Sequence, residues 1–273
     1  MIKRYHEAPL DVFSNVQQLT DGDYALVHLF ETNKEYFKAF KNAVESGRDV
    51  ILDNSIFELG TAFDGDRYAY WVEELQPTWY IVPDCWKKPH ETVKMFEEFV
   101  RDHPNLPGKR IGVAQGKTIE DVAWCYKALE PMCDMIAFNL DGSYTSELPE
   151  IGIPYCVRMS VGRFKLIRDL HTRGVINTKK PHHLLGCGIP QEMLWYPRDA
   201  DWIRSVDTCN PVIHGMYNML YDAKLPGMTS KLSVKMCDCM DRQISASGWQ
   251  CIERNIMSFK DYCEREVGSQ WIE

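Results

Sequence analysis

The stretch Asp49–Asn54 reads DVILDN, a short and mostly apolar run that ends in polar residues. Runs of this kind recur along the chain, and most are continuous rather than alternating in polarity. Continuous apolar runs are typical of parallel strands that are covered on both faces. The other seven candidate strands are Tyr24–Phe30, Trp79–Asp84, Arg110–Gln115, Met135–Asn139, Pro154–Met159, His182–Cys187 and Trp202–Thr208.

Amphipathic segments lie between these runs and predict helices. Asn33 is placed to cap one helix, and Thr118 with Asp121 has the spacing of a capping box at the start of another. His90–Val100 and Gly162–Leu170 have similar apolar spacing. Eight strands that alternate with helices predict a single (β/α)8 barrel of the TIM type, and an open doubly wound sheet is the alternative.

The chain has no Pro-rich or Ser-rich linker, so we predict one catalytic barrel domain over residues 1–230. Residues 231–273 are predicted to be a C-terminal extension that packs on the barrel, with a last helix over Ser258–Val267. The formal net charge is −8 and the pI is about 5.5, so binding to a polynucleotide would need a local basic patch. The ten cysteines follow no apparent signal peptide, and no apolar run is long enough for a membrane span. These features favour reduced thiols and a cytoplasmic location, the host cytoplasm if a phage encodes the protein.

Polar residues recur where the candidate strands end. In a β/α barrel the loops at the carboxyl ends of the strands form the active site. An Asp after a strand is also often only the N-cap of the next helix, and this second interpretation stays open for each position. The side chains concerned are Asp53, Asn54, Asp84, Gln115, Asn139, Asp141 and Asp207.

These residue types fit chemistry at the bond between a nucleobase and a sugar. Two carboxylates can divide nucleophilic and acid–base work at an anomeric carbon. A third carboxylate accepts hydrogen bonds from a purine edge while Gln115 donates one to its carbonyl group. Phe57, four residues after Asp53, is placed to stack on a flat base.

At these positions the sequence resembles the tRNA-guanine transglycosylase superfamily, whose members exchange guanine for a 7-deazaguanine. The similarity covers about residues 50 to 212, and four motifs occur in the family's order. The matching stretches are Asp53–Glu58 for D-S-G-G-F-Q, Gly112–Gly116 for G-x-x-Q-G, Leu184–Pro190 for the L-M-G-V-G turn with its following Pro, and Ser205–Pro211 for the final D-x-F-D-C strand.

The resemblance implies a pentosyltransferase that exchanges bases through a covalent bond between Asp207 and the sugar. Asp53 would be the general acid and base for the departing and incoming bases. No cofactor is required by this chemistry. The base would be read by Asp84, Gln115 and Asn139, sandwiched by Phe57 and Leu185, and further contacted by Asn54 and Gly186.

Two departures from the family pattern concern the substrate. The family's Gly-Gly-Leu is Phe138-Asn139-Leu140 here, and its zinc subdomain is not matched, because Arg242 replaces a ligand and no His follows His214. A zinc site made only of Cys237, Cys239, Cys251 and Cys263 remains an alternative. The lost subdomain favours the phage and bacterial branch that acts on DNA, with tRNA as the second substrate, and a free 7-deazaguanine as the incoming base.

The predicted phosphate contacts are Arg158, Arg163, Lys165 and Arg204, of which the first two flank the end of the sixth candidate strand. We interpret the His182-His183 pair as structural. A homodimer or a partner subunit stays open. One rival function is a barrel hydrolase in which Asp53, Asp84 and Asp207 hold Mg²⁺. A second is a non-catalytic protein that binds a base or a nucleic acid.

Overall fold

The computed structural model describes residues 1–141, 143, 152–197, 199–221 and 229–264. Eight parallel strands form a closed barrel in chain order, with helices around them, so the predicted (β/α)8 fold is confirmed. The strands are β1 Lys3–Tyr5, β2 Gly22–Leu26, β3 Asp49–Asp53, β4 Trp79–Ile81, β5 Lys109–Val113, β6 Met135–Asn139, β7 His182–Leu185 and β8 Ile203–Asp207.

The helices follow the strands, as expected for this fold. They are α1 Phe13–Gln17, α2 Val27–Thr32, α3 Lys34–Glu45, α4 Ile56–Leu59, α5 Gly65–Leu75, α6 Pro89–Asp102, α7 Ile119–Leu129, α8 Tyr155–Thr172, α9 Asn210–Met216 and α10 Ala246–Glu264. Both predicted caps are confirmed, because Asn33 accepts a hydrogen bond from the Tyr36 N–H and Thr118 forms a capping box with Asp121. Among the described helices, none has both the length and the apolar character that crossing a bilayer requires.

One predicted strand is wrong and another was not predicted. Pro154–Met159 is not a strand, because Tyr155 already begins α8. A short apolar run gives the same signal in a buried helix as in a buried strand. The eighth strand is β1, which has only three residues, KRY, and gives little apolar signal. It pairs with β8 along Lys3–Ser205 and Tyr5–Asp207, and its Arg4 side chain forms an ion pair with Asp21 at 2.7 Å.

The C-terminal helix begins earlier than predicted. The sequence predicts a helix over Ser258–Val267, whereas α10 begins at Ala246 and is described as far as Glu264. Residues 265–267 of that prediction lie outside the described residues. The side chain of Asn255 on α10 donates to the carbonyl groups of Pro211 and Met219, which lie in α9 and just after it. These bonds fix the C-terminal helix against the segment that follows β8.

The chain divides into two compact units, residues 22–138 and residues 1–21 with 139–273. In the first unit, β2 to β6 pair in register, and an aromatic cluster that includes Phe30, Tyr36, Phe40 and Trp71 packs outside them. The buried Tyr68 hydroxyl donates to the Leu52 carbonyl at 2.9 Å, which ties α5 to β3.

In the second unit, the ladder between β7 and β8 is irregular. His182 lies opposite Ile203, and His183 lies opposite Ser205, so β8 has one more residue than β7 at this point. That extra residue is Arg204. A bulge of this kind changes the direction of the side chains around it and is common next to functional sites.

Candidate functional site

In the unit of residues 22–138, the loops after β3, β4 and β5 carry a buried polar network. Asp84 is its centre, because its two carboxylate oxygens accept hydrogen bonds from the Asn54 amide at 2.7 Å and from the Gln115 amide at 2.6 Å. All three side chains are buried. The structure therefore brings together three of the residues predicted to contact the base.

Burial raises the pKa of Asp84 to about 6, although the hydrogen bonds from Asn54 and Gln115 oppose this shift. Both donors are neutral amides, so no positive charge in the network compensates the carboxylate. A carboxylate offers about four acceptor positions, and Asn54 and Gln115 occupy two of them. Asp84 thus retains capacity to accept a hydrogen bond from a ligand.

Asp53 ends β3 and is held by two donors of its own. Its Oδ1 accepts from the Tyr24 hydroxyl at 3.0 Å, and its Oδ2 accepts from the Ser55 backbone N–H at 2.7 Å. Ser55 has a φ of 60°, a left-handed conformation that is uncommon for residues other than glycine. The Asp53 carboxylate thus holds a strained turn that leads directly into α4.

A second strained turn follows β4. Lys87 has a φ of 62°, and its backbone N–H donates to the Gln115 side chain at 2.9 Å. Strain of this kind costs on the order of 1 kcal/mol or more and is found preferentially at functional sites. Both turns are therefore fixed by residues of the buried polar network or its neighbour Asp53.

These two turns carry an exposed aromatic pair. Phe57 is 54% exposed and Trp86 is 38% exposed, and their ring centroids lie 6.3 Å apart. The Lys87 ammonium lies 5.6 Å from the centre of the Trp86 ring. Exposed aromatic rings beside a cation are the feature that proteins use to stack nucleobases. Trp86 was missed in the sequence, because only Phe57 falls on a motif.

In the other unit, Asp207 ends β8 and is only 4% exposed. Its Oδ1 accepts two hydrogen bonds, from His183 Nε2 at 2.9 Å and from the Gly186 backbone N–H at 2.8 Å. The His183 Nδ1 in turn bonds the Ser205 hydroxyl at 2.8 Å. The pairing of Asp207 with His183 was missed in the sequence, where the two histidines were interpreted as structural.

Gly186 has a φ of 72°, which directs its N–H toward Asp207. The carbonyl group of the same peptide unit belongs to Leu185 and accepts from Arg163 Nη1 at 3.0 Å and from the Leu140 N–H at 2.9 Å. Leu185 itself is half-buried. This turn after β7 is therefore held from both ends of one peptide bond.

Arg163 requires a correction. It lies within α8, where its guanidinium is fully buried and forms a two-point ion pair with Glu192 at 2.8 and 2.9 Å. A phosphate would have to displace Glu192 to reach it, so we withdraw Arg163 from the predicted nucleic-acid contacts. The strand position predicted for Arg158 is also wrong. Arg158 lies on α8, where its side chain is half-buried over the Tyr155 ring.

The remaining predicted residues are dispersed. Asn139, the last residue of β6, is buried, and Asp141 just after it is buried as well. Lys165 is exposed on α8. Arg204 is exposed on β8. Ser205 and Asp207 on the same strand both bond the His183 ring, so the Arg204 side chain does not share their direction.

The candidate metal ligands are the aspartates at the strand ends and the C-terminal cysteines. Across the residues that the structure describes, no three His, Cys, Asp or Glu side chains group in a way that could hold a metal ion. Cys237, Cys239, Cys251 and Cys263 are all among the described residues, and each is a reduced thiol rather than half of a disulfide. The structure thus does not gather them into a Cys-only zinc site.

No protein-family model matches this chain, and a search of curated proteins also gives no match.

Proposed function

We propose that the protein is a transglycosylase that exchanges guanine in DNA for a 7-deazaguanine base through a covalent Asp207–sugar intermediate. The observation that carries this proposal is the state of Asp207, a buried carboxylate at the end of β8 whose hydrogen bonds with the described residues all go to one oxygen, Oδ1. A side chain held in this way is oriented but retains an oxygen that can form a bond.

The proposed reaction has two displacements. In the first, an Asp207 oxygen bonds to C1′, the C1′–N9 bond breaks, and the electron pair leaves with guanine, which receives a proton from Asp53. In the second, the incoming base loses its N9 proton to Asp53 and attacks C1′, and the Asp207 carboxylate is released. Two inversions retain the configuration at C1′.

Base recognition is assigned to the network around Asp84. A neutral amide and a carboxylate that face one ligand complement the donors and the carbonyl of a guanine edge. Asn54 and Gln115 hold the carboxylate, and Phe57 with Trp86 would stack a base. Asn139 and Leu185 remain proposed contacts.

DNA is proposed over tRNA because the chain departs from the zinc-subdomain pattern of the tRNA enzymes. An enzyme that acts on a base in a duplex must also remove that base from the stack, which costs a few kcal/mol. We therefore propose that single-stranded DNA is the better substrate.

The test measures radiolabelled guanine that enters single-stranded DNA, duplex DNA or unmodified tRNA, with and without a chelator. We expect label in DNA, unaffected by the chelator and lost in Asp207→Ala. The matched control is Asp66→Ala, which removes a carboxylate that is 92% exposed on α5. Label in tRNA alone would overturn the proposed substrate, and label that is lost with the chelator would mean that the exchange depends on a metal ion. No label at all would refute guanine exchange by this chain and favour the hydrolase or the non-catalytic protein.

A further inference from the structure

The two oxygens of the Asp207 carboxylate have different surroundings. Oδ1 accepts from His183 and from Gly186, whereas none of the hydrogen bonds that the described residues make to this carboxylate involves Oδ2. A carboxylate only accepts hydrogen bonds, so His183 Nε2 is the donor in its bond. The asymmetry is thus fixed by two N–H groups that converge on a single oxygen.

Each of these two donors is itself held by a second group. Ser205 bonds the opposite nitrogen of the His183 ring, and the bulge between β7 and β8 brings Ser205 opposite His183. The Gly186 N–H belongs to the peptide whose carbonyl oxygen accepts from the buried Arg163. Arg163 is held by Glu192, and the same Glu192 oxygen accepts from the Tyr196 hydroxyl at 2.8 Å.

We infer that His183 is a positioning residue for Asp207, and that it selects Oδ2 as the atom that bonds to C1′. This inference rests on the proposed function, since it assigns a role within the same reaction. Arg163 contributes indirectly. Its guanidinium donates to the Leu185 carbonyl and so holds the Leu185–Gly186 peptide, whose N–H donates to Asp207.

The arrangement has a chemical consequence. Donors on Oδ1 concentrate negative charge there and stabilise the carboxylate as it leaves C1′ in the second displacement. They also prevent rotation of the carboxylate, so Oδ2 stays directed to one position. Orientation of a reacting group affects the rate of the chemical step more than it affects substrate binding.

The experiment compares His183→Phe, His183→Gln and Ser205→Ala with the wild type in the guanine-exchange assay on single-stranded DNA. His183→Phe removes the donor to Asp207 and fills the ring volume, and we expect kcat to fall about 10-fold to 100-fold with KM changed less than about 3-fold, as the loss of one charge-assisted hydrogen bond predicts. The amide of His183→Gln can donate to Asp207 again. We expect log kcat of this variant to recover at least a quarter of the decrease seen in His183→Phe.

Ser205→Ala is the variant that keeps the test valid if His183→Phe does not fold. It leaves His183 in place but removes the partner of Nδ1, so we expect a smaller fall in kcat, again with little change in KM. Unchanged kcat in a folded His183→Phe or in Ser205→Ala would overturn the inference. A rise in KM with no change in kcat would overturn it as well.

A readout that needs no activity separates this inference from the proposed function. We expect ¹⁵N NMR of the histidine rings to show a protonated His183 Nε2 whose resonance shifts in Asp207→Asn. A wild-type protein that exchanges no base but shows this shift would refute the transglycosylase while keeping the His183–Asp207 geometry. An active enzyme without the shift would refute the positioning role alone.

Discussion

At the scale of single residues, Asp84 shows how burial and hydrogen bonding oppose each other. Its carboxylate is buried, which raises its pKa, and the amides of Asn54 and Gln115 reduce that shift without removing it. A group of this kind is useful to a protein that binds a base, because a site without competing water strengthens each polar contact. Its cost is paid in the stability of the fold.

The pKa of Asp84 predicts how that stability depends on pH. Because the folded pKa of about 6 lies above the ordinary 3.8, the folded state binds the proton more tightly than the unfolded state. The contribution of Asp84 to the free energy of unfolding is thus favourable at low pH and falls as the pH rises from about 4 to 6, by up to ~3 kcal/mol.

Asp84→Asn removes this titration. We expect the difference in unfolding free energy, wild type minus variant, to fall between pH 4 and pH 7 in urea titrations. The exposed Asp66→Asn on α5 is the control for the loss of a surface carboxylate. A difference that stays constant over this pH range would mean that Asp84 does not titrate as the structure predicts.

Gly186 permits a matched comparison with another glycine. Gly186 and Gly174 both have positive φ, 72° and 67°, and a Cβ would meet no closer atom than 3.6 Å at the first and none within 4 Å at the second. Alanine at either position should lower the unfolding free energy by about 1 to 2 kcal/mol through backbone strain. Only Gly186→Ala should also lower kcat for base exchange, because a backbone that relaxes away from the positive φ turns the residue 186 N–H away from Asp207. Equal activity of the two variants would contradict this role.

Some site residues could be predicted from the sequence and others could not, for a physical reason. Asp53, Asp84 and Gln115 could be singled out because each lies at the end of an apolar run or within three residues of a strand's end. His183 could not, because its role depends on a bulge that sets it opposite Ser205, and pairing between strands distant in the chain is not encoded in a local pattern. The prediction that Arg163 contacts phosphate was wrong for a related reason, since its ion-pair partner Glu192 lies on another element.

At the scale of elements, the strands and helices with strong local signals were predictable and those formed by tertiary contacts were not. The capped helices α3 and α7 follow from Asn33 and Thr118. The strand β1 exists because β8 pairs with it, and the start of α8 was predicted as a strand because a short apolar run does not by itself distinguish a strand from a helix. Propensity is a weak guide where the packing of the whole chain decides the conformation.

The contact between α9 and α10 provides a test at this scale. A Cβ on Gly215 would lie 2.4 Å from the backbone nitrogen of Ile252 and 2.5 Å from its Cα. We expect Gly215→Ala to lower the unfolding free energy by about 1 to 3 kcal/mol, since the helices must separate. Ile252→Ala should not rescue it, because the clash involves the backbone. Rescue by that second change would show that only the Ile252 side chain is in the way.

The exposed aromatic rings on the turns after β3 and β4 provide a second test at the scale of elements. Stacking of a base on an aromatic side chain contributes about 1 to 3 kcal/mol. Trp86→Ala should therefore weaken the binding of single-stranded DNA roughly 5-fold or more, as measured by fluorescence anisotropy. Trp124 on α7 is 42% exposed and is the matched control. Equal losses in Trp86→Ala and Trp124→Ala would indicate a nonspecific effect of losing a surface tryptophan.

At the scale of the whole molecule, the net charge of −8 limits how the chain can bind a polynucleotide. Overall electrostatic attraction is absent, so affinity has to come from a few local contacts, and the buried Arg163 is not among them. Of the predicted phosphate contacts, Lys165 on α8 and Arg204 on β8 are exposed. An acidic protein with few such contacts should show a shallow dependence of affinity on salt.

For single-stranded DNA, each neutralised phosphate contributes about −0.7 to the slope of log K against log salt concentration, so two or three contacts predict a slope of about −1.4 to −2.1. Lys165→Gln should make this slope less negative by ~0.7. Lys38→Gln, an exposed change on α3, should leave the slope unaltered. Equal effects of the two variants would mean that DNA is attracted by dispersed surface charge, and a slope near zero would mean that the chain holds DNA through its bases alone, with α8 making no contribution.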